Sequence, residues 1–273
     1  MPTTTEAGAP LPEHQSHQAR QVAESFGTDA ERYDRTRPRY PDALVERIVD
    51  AGLGLGILDV GCGTGISSRP FQAAGCDVLG IEPDERMADF ARRSGVEVEV
   101  ATFEAWDPAG RTFDVVVSGQ TWHWVDPAVG AAKAAQVLRP GGRLAVFWNV
   151  DQPSADVADA FAAVYRRVLP DSLASRWAAA SGGYSVLWDK AADGIRQAGT
   201  FGDPEQWRFE WERSYTREEW LDQLPTQGAF TLLSPATLEE VLAGIGAAID
   251  AMGGSFTMRY AALVVTAVST GAA

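Results

Sequence analysis

Apolar residues in this chain fall into short continuous runs separated by stretches with helical spacing. The runs at 57–60, 78–81, 96–100, 115–117 and 144–148 are bounded by Gly, Pro or Asp, and each predicts a strand. Strands without polar alternation are covered on both faces, and strands that alternate with helices form a parallel sheet. Upstream, 18–33 and 42–50 read as helices on either side of the stiff stretch Arg35-Thr-Arg-Pro-Arg-Tyr-Pro41. Residues 1–25 are expected to be a mobile tail.

After Trp148 the pattern changes. Residues 151–205 are alanine-rich, helical in spacing and without a clear strand, which suggests a helical lid inserted after the fifth strand. Trp207-Arg-Phe-Glu-Trp-Glu-Arg213 alternates apolar and charged residues, as a strand with one wetter face does. Helices are expected at 217–224 and 235–252, and a last strand at 256–268 follows the Gly253-Gly254 turn, antiparallel and at or near the sheet edge. The expected fold is α/β: a Rossmann-like, doubly wound, mostly parallel seven-stranded sheet. Its parts are a core over 26–150, the lid over 151–205 and the completion of the sheet over 206–273.

Composition narrows the function. A chain of 273 residues suits one domain, and acidic residues outnumber basic ones for a net charge of −14. That charge disfavours nucleic acid, whose phosphates require a basic patch. No apolar run approaches about 18 residues and no secretory pattern opens the chain, so a soluble, cytoplasmic protein without a membrane partner is expected. Cys62 and Cys76 form no metal-ligand or disulfide pattern and read as buried small residues.

The segment richest in chemistry is Ile57-Leu-Asp-Val-Gly-Cys-Gly-Thr-Gly65, a strand running into three alternate glycines. Glycine is required where backbone turns tightly or a ligand approaches without room for a Cβ, and open α/β sheets bind ligands at this end of their strands. The G-x-G-x-G spacing differs from the G-x-G-x-x-G of dinucleotide sites, and Asp59 would repel a pyrophosphate while favouring an ammonium or sulfonium. The second strand ends in Gly80-Ile-Glu-Pro-Asp84, where Glu82 can accept hydrogen bonds from both ribose hydroxyls of an adenosine. Asp84 is better placed to cap the next helix.

These features resemble the class I S-adenosylmethionine-dependent methyltransferases, in particular the broad type 11 family. The glycine loop, Glu82 with Met87 behind it, Phe113-Asp-Val-Val-Val-Ser118 and Leu138-Arg-Pro-Gly-Gly-Arg-Leu144 carry the resemblance, over roughly 26–149. It implies S-adenosyl-L-methionine as cofactor, with Asp59, Gly61 and Gly63 bordering its methionine portion, Glu82 its ribose and Met87 its adenine. Where the family usually has Gly-Asp after the third strand, this chain has Ala101-Thr-Phe-Glu104. Thr102 replaces the acid, and Phe103 is left to stack on the adenine. Ser118 and Gln120 would approach the methionine amine, and Ala30–Pro41, including Tyr33, resembles the opening helix and loop that close over the cofactor.

Beside the expected sulfonium lies Ser118-Gly-Gln-Thr-Trp-His-Trp124. His123 could take a proton from an acceptor hydroxyl or amine, or simply pack between Trp122 and Trp124. Trp122, His123, Trp124 and Trp148 are the candidate acceptor contacts, and Trp177, Trp188, Trp207, Trp211 and Trp220 could add aromatic walls or core packing. The expected reaction is in-line methyl transfer, without a metal, to an oxygen or nitrogen of a small metabolite, with specialised metabolism as a fold-level analogy. A non-catalytic S-adenosylmethionine-binding protein and a nicotinamide-dependent oxidoreductase are the alternatives, and the oligomeric state is open.

Overall fold

The computed structural model describes residue 22, residues 25–170 and residues 183–271, with the side chains of 183–186 outside that description. Most of the expected tail and Trp177 therefore lie outside the described residues. Seven strands form one sheet: β1 (Gly56–Val60), β2 (Asp77–Glu82), β3 (Glu97–Val100), β4 (Phe113–Gly119), β5 (Leu138–Gln152), β6 (Glu205–Thr216) and β7 (Ser255–Val268). Their order is β3-β2-β1-β4-β5-β7-β6. The first five in that order are parallel, and β7 runs antiparallel to both its neighbours.

Helices cover both faces, which is why β1 and β4 carry almost no polar alternation. On one face α2 (Asp42–Asp50) and α3 (Ser68–Ala73) supply Leu44, Val45, Ile48 and Phe71 to pack on Ile57, Val115, Val117 and Phe147. On the other, α5 (Pro127–Val137) and α7 (Gly183–Ala198) pack on Leu58, Val116, Leu144 and Val146. Each such side chain, fully buried, contributes about 1.5–3 kcal/mol. The remaining helix of the first half, α4 (Glu85–Arg93), follows β2 and is capped by Asp84, which accepts from Arg86 N.

The expected lid divides. Only α6 (Ala155–Val168) leaves the sheet, whereas α7 lies on it with Ala191, Ala192 and Ile195 buried. Small alanine side chains permit close approach to α5, so the spacing read as a lid is that of a core helix. The terminal strand is antiparallel and near the edge, as expected: β7 sits between β5 and β6, and the alternating strand β6 forms the edge itself.

At the amino end, a 3-10 turn over Phe26–Asp29 precedes α1 (Ala30–Thr36), whose first turn is capped by Asp29 accepting from Arg32 N. Two contacts hold α1 over the carboxyl ends of the strands. Arg32 and Arg35 grip Asp222 of α8 (Arg217–Gln223) at 2.9 and 2.8 Å, and Asp34 accepts from Arg69 at 2.6 Å. Arg69 also donates to the Thr64 carbonyl at 2.7 Å, so α1 is fastened to the glycine loop. A second apolar cluster, from α6, α8, α9 (Pro235–Ala251) and the far ends of β6 and β7, roofs the same side of the sheet. No described helix is long and apolar enough to cross a membrane.

Candidate active site

The three loop glycines all have positive φ: +66° at Gly61, +56° at Gly63 and +85° at Gly65. Their surroundings differ. A Cβ at Gly61 would lie 2.0 Å from Thr121 Cγ2, because the loop after β4 presses on the turn and Thr121 Oγ1 donates to the Gly61 carbonyl. A Cβ at Gly63 would meet only Met87 Cε, at 3.5 Å. Gly61 is thus demanded by the protein's own packing, and the open approach for a ligand lies at Gly63.

Glu82 faces that approach. It is 8% exposed; its Oε2 accepts from Gly63 N at 2.9 Å and its Oε1 from Asp84 N at 2.9 Å. Burial pushes its carboxyl up to about 7, against the two N–H donors. Each carboxylate oxygen keeps a lone pair for a further donor, such as a ribose hydroxyl. Met87, buried on α4, closes the side.

Asp59 lies beneath the loop with no exposed surface, and its Oδ2 accepts from Ser67 and Ser68 hydroxyls at 2.6 Å each. Burial raises its carboxyl to about 6, opposed by those hydroxyls, and Oδ1 has no hydrogen-bond partner among the described residues. Ser118, also fully buried, donates to the Val60 carbonyl at 2.9 Å and ties β4 to β1. Thr102 is exposed, whereas Phe103 is 3% exposed with its ring 6.3 Å from that of Trp122. Packing in the core occupies the Phe103 ring, which leaves Thr102 as the exposed side chain at this corner.

The glycine cradle, the buried Glu82 and the 3-2-1-4-5-7-6 sheet agree with the comparisons. The sequence profile of the methyltransferase domain family matches residues 58–146. An uncharacterised methyltransferase of Mycobacterium tuberculosis is 36% identical over 132 residues, covering 48% of this chain and 54% of that protein. A solved structure described as a type II methyltransferase from Anaeromyxobacter dehalogenans superposes with a TM-score of 0.63 at 25% identity, covering 85% of this chain and 97% of the other. Together these similarities support a class I S-adenosylmethionine-dependent methyltransferase. A ubiquinone biosynthesis O-methyltransferase of Sinorhizobium fredii is also similar, 35% identical over 132 residues, 46% of this chain and 47% of its own. The chain thus spans about half the length of these curated relatives.

The loop after β4 and the extended end of β5 carry the residues expected on the acceptor side. Gln120 holds a φ of 56°, a conformation that costs a non-glycine residue about 1–3 kcal/mol. Its amide N donates to the Phe147 carbonyl at 2.8 Å and its Nε2 to the Asn149 carbonyl at 3.0 Å, which pins the loop to β5. Trp122 is buried and Trp124 is 37% exposed. Trp148, 2% exposed, donates from Nε1 to Nδ1 of His123 at 3.3 Å.

That bond leaves the neutral His123 ring with its proton on Nε2, which can then act as a donor. His123 is solvent-accessible, yet the atoms packed around it desolvate the ring and push its pKa down to about 4. A nitrogen already engaged and a pKa that low suit hydrogen-bond donation better than proton abstraction. Tyr33 of α1 is half-buried, with Arg37 over its ring at 5.0 Å and Phe26 at 5.7 Å. The tryptophans divide: Trp220 is buried in the second cluster, Trp207 lies beneath Arg47 and Arg143, Trp188 packs against the core, and Trp211 lines the strand ends.

Sequence reasoning missed Tyr40, Asn149 and Asp151. Tyr40 meets the Phe147 ring edge-on at 4.7 Å, and its hydroxyl lies so near Gly119 that a Cβ there would be 2.7 Å away. Asn149, buried, donates from Nδ2 to the Arg39 carbonyl at 3.1 Å and accepts from Trp211 Nε1 at 3.2 Å. The predicted end of β5 at Trp148 concealed both later residues; the polar Asn-Val-Asp continuation was the available signal. Two surface grooves, of about 650 and 560 Å³, are lined by residues of β6, β7 and their surroundings, and neither includes a glycine-loop residue. No metal-ligating cluster occurs among the described residues.

Proposed function

We propose that this protein transfers the methyl group of S-adenosylmethionine to an oxygen or nitrogen of a small organic molecule. The observation that carries the proposal is the pairing of Gly63 N with the buried Glu82 carboxylate at 2.9 Å, beside a cradle that a Cβ would fill. Glu82 would accept from the ribose hydroxyls, Met87 and Thr102 would border the adenine, and Gly61, Gly63 and Gln120 would shape the methionine end. Asp59 would supply a buried negative charge beneath it.

S-adenosylmethionine, when bound, supplies a methyl group already activated by its sulfonium, so alignment and exclusion of water supply much of the rate. α1 would cover the cofactor, with Tyr33 and Tyr40 closing its side. Trp122, Trp124 and Trp148 would wall the acceptor, and His123 would orient it by donating from Nε2 rather than act as a base. Similarity to a ubiquinone biosynthesis O-methyltransferase supports a small-molecule acceptor.

Incubation with methyl-labelled S-adenosylmethionine and fractionated metabolite extracts, followed by mass spectrometry, tests the reading. A labelled small molecule is expected. Binding of S-adenosylhomocysteine without any transfer would favour a non-catalytic binding protein.

A further inference from the structure

The sheet ends on a long strand with one side unused. β6 runs for 12 residues and pairs with β7 alone among the described residues. Their register is continuous from Glu205 against Thr266 to Thr216 against Ser255, with no bulge to bend β6 away. Along an antiparallel pair the backbone groups point to alternate sides, so about half of the β6 N–H and C=O groups face away from β7. Edge strands are ordinarily blunted by brevity, proline, lysine or a bulge, because such an open row templates pairing with another chain. Residues 205–216 carry none of these.

The side chains of β6 divide by face. Trp207, Phe209 and Trp211 are half-buried against the cluster that holds Ile48 and Phe147. On the other face Gln206, Arg208, Glu210, Glu212 and Ser214 are exposed. Arg208 and Glu210 pair with each other at 2.9 Å, yet their side chains remain 47% and 71% exposed.

Two copies joined along this edge by a two-fold axis run antiparallel, with one residue opposite its own counterpart and opposed residues on a shared face. Centring on Phe209 sets Arg208 against Glu210 and Glu205 against Arg213, each twice. It also sets Gln206 against Glu212 and Trp207 against Trp211. Opposite charges and aromatic pairs directly across strands are favourable, and like charges are not. A centre on Arg208, Glu210, Glu212 or Arg213 opposes that charge to itself, and a centre on Trp211 opposes Glu210 to Glu212. Among registers that pair more than five residues of β6, only the one centred on Phe209 is free of a like-charge pair.

We infer that β6 is a dimerisation edge, along which two copies of the chain pair antiparallel about Phe209 and join their sheets into one. The occupant is a second copy rather than a foreign strand because the charge pattern of β6 complements itself about that single residue. The inference is independent of the reaction proposed above.

Sedimentation velocity on the full chain tests this at concentrations up to about 100 μM, above the micromolar dissociation constants of the weaker standard interfaces. A dimer is expected, and amide exchange along β6 should slow as concentration rises. Arg208→Glu sets carboxylates opposite each other in both pairs and should raise the dimer dissociation constant at least about tenfold. Adding Glu210→Arg to Arg208→Glu should restore the dimer, since this swap regains opposite charges only in the register centred on Phe209. Both side chains are exposed, so circular dichroism should show each variant folded. A monomer at every concentration, a dimer indifferent to Arg208→Glu, or a double variant that fails to regain it would overturn the inference. Slowed exchange along β6 that appears only when another protein is added would also overturn it and assign the edge to a foreign strand.

Discussion

Trp148 donates its indole N–H to Nδ1 of His123 across 3.3 Å, joining β5 to the loop after β4. Neutral His123 with its free proton on Nε2 is expected to titrate near 4 rather than near the ordinary 6.5. NMR titration of the ring carbon protons reads this directly. His123→Gln, which keeps a donor, should retain turnover within about tenfold, whereas removal of a true general base costs about 10²–10⁴. A ring pKa near neutrality together with a large loss in the glutamine variant would restore the base.

The glycine loop should respond unequally to an added methyl group. Gly61→Ala drives a Cβ to 2.0 Å from Thr121 Cγ2 in addition to the strain of a positive φ, so it should markedly destabilise the fold and abolish binding. Gly63→Ala meets only Met87 Cε at 3.5 Å and should cost about 1–3 kcal/mol of stability, the backbone strain alone. It should still lose S-adenosylhomocysteine affinity, because the methyl group enters the cradle. Thermal denaturation alongside calorimetry separates the two variants, and a Gly63→Ala protein with unchanged affinity would remove that glycine from the site.

Glu82 should make both stability and binding depend on pH. Its carboxyl is raised from the ordinary 4.5 to about 7, so the folded protein holds this proton more tightly than the unfolded chain does. The resulting stabilisation is full below about 4.5 and is lost as pH rises through 7, a difference on the order of 3 kcal/mol. Urea denaturation of wild type and Glu82→Gln at pH 5 and pH 8 should show the glutamine variant relatively more stable at the higher pH. If Glu82 receives the ribose as proposed, it does so as the ionised carboxylate, and S-adenosylhomocysteine affinity should fall in the wild type below about pH 7 and stay flat in Glu82→Gln. Glu82→Ala should weaken binding by about 1.5–3 kcal/mol.

The ion pair between Asp34 and Arg69, at 2.6 Å, fastens α1 to the loop that ends at Gly65. Asp34→Asn should loosen this cover and raise the S-adenosylhomocysteine dissociation constant by up to about fivefold, the scale of a partly exposed pair. Global stability should change little, since Arg32 and Arg35 still hold Asp222. Calorimetry combined with amide exchange over Ala30–Thr36 checks it. Faster exchange with unchanged affinity would mean that α1 is not part of the cofactor site.

Local patterns along the chain determined the alternating strands and helices, the glycine turn and the separate positions of Glu82 and Asp84. They did so because burial on both faces imposes continuous apolar runs, and because tight turns and helix caps admit few residue types. β7 was legible as an antiparallel strand at or near the edge but not as the strand between β5 and β6, since pairing partners are chosen by contacts far apart in sequence. The same limit made α7 resemble a lid: alanine spacing reports a helix but not which surface receives it.

For the site, the sequence picked out candidate side chains, and the tertiary structure decided which way each one turns. Phe103 and Ser118 point into the protein because Trp122 and the Val60 carbonyl receive them there. Gly61 is pressed by Thr121, sixty positions away, a constraint that no local pattern reveals. Asp151 comes into one row with Tyr260 and Trp211 only because β5 continues beside β7. A carboxylate's environment is a property of what folds around it, so its neighbours across the sheet are not written in the residues next to it.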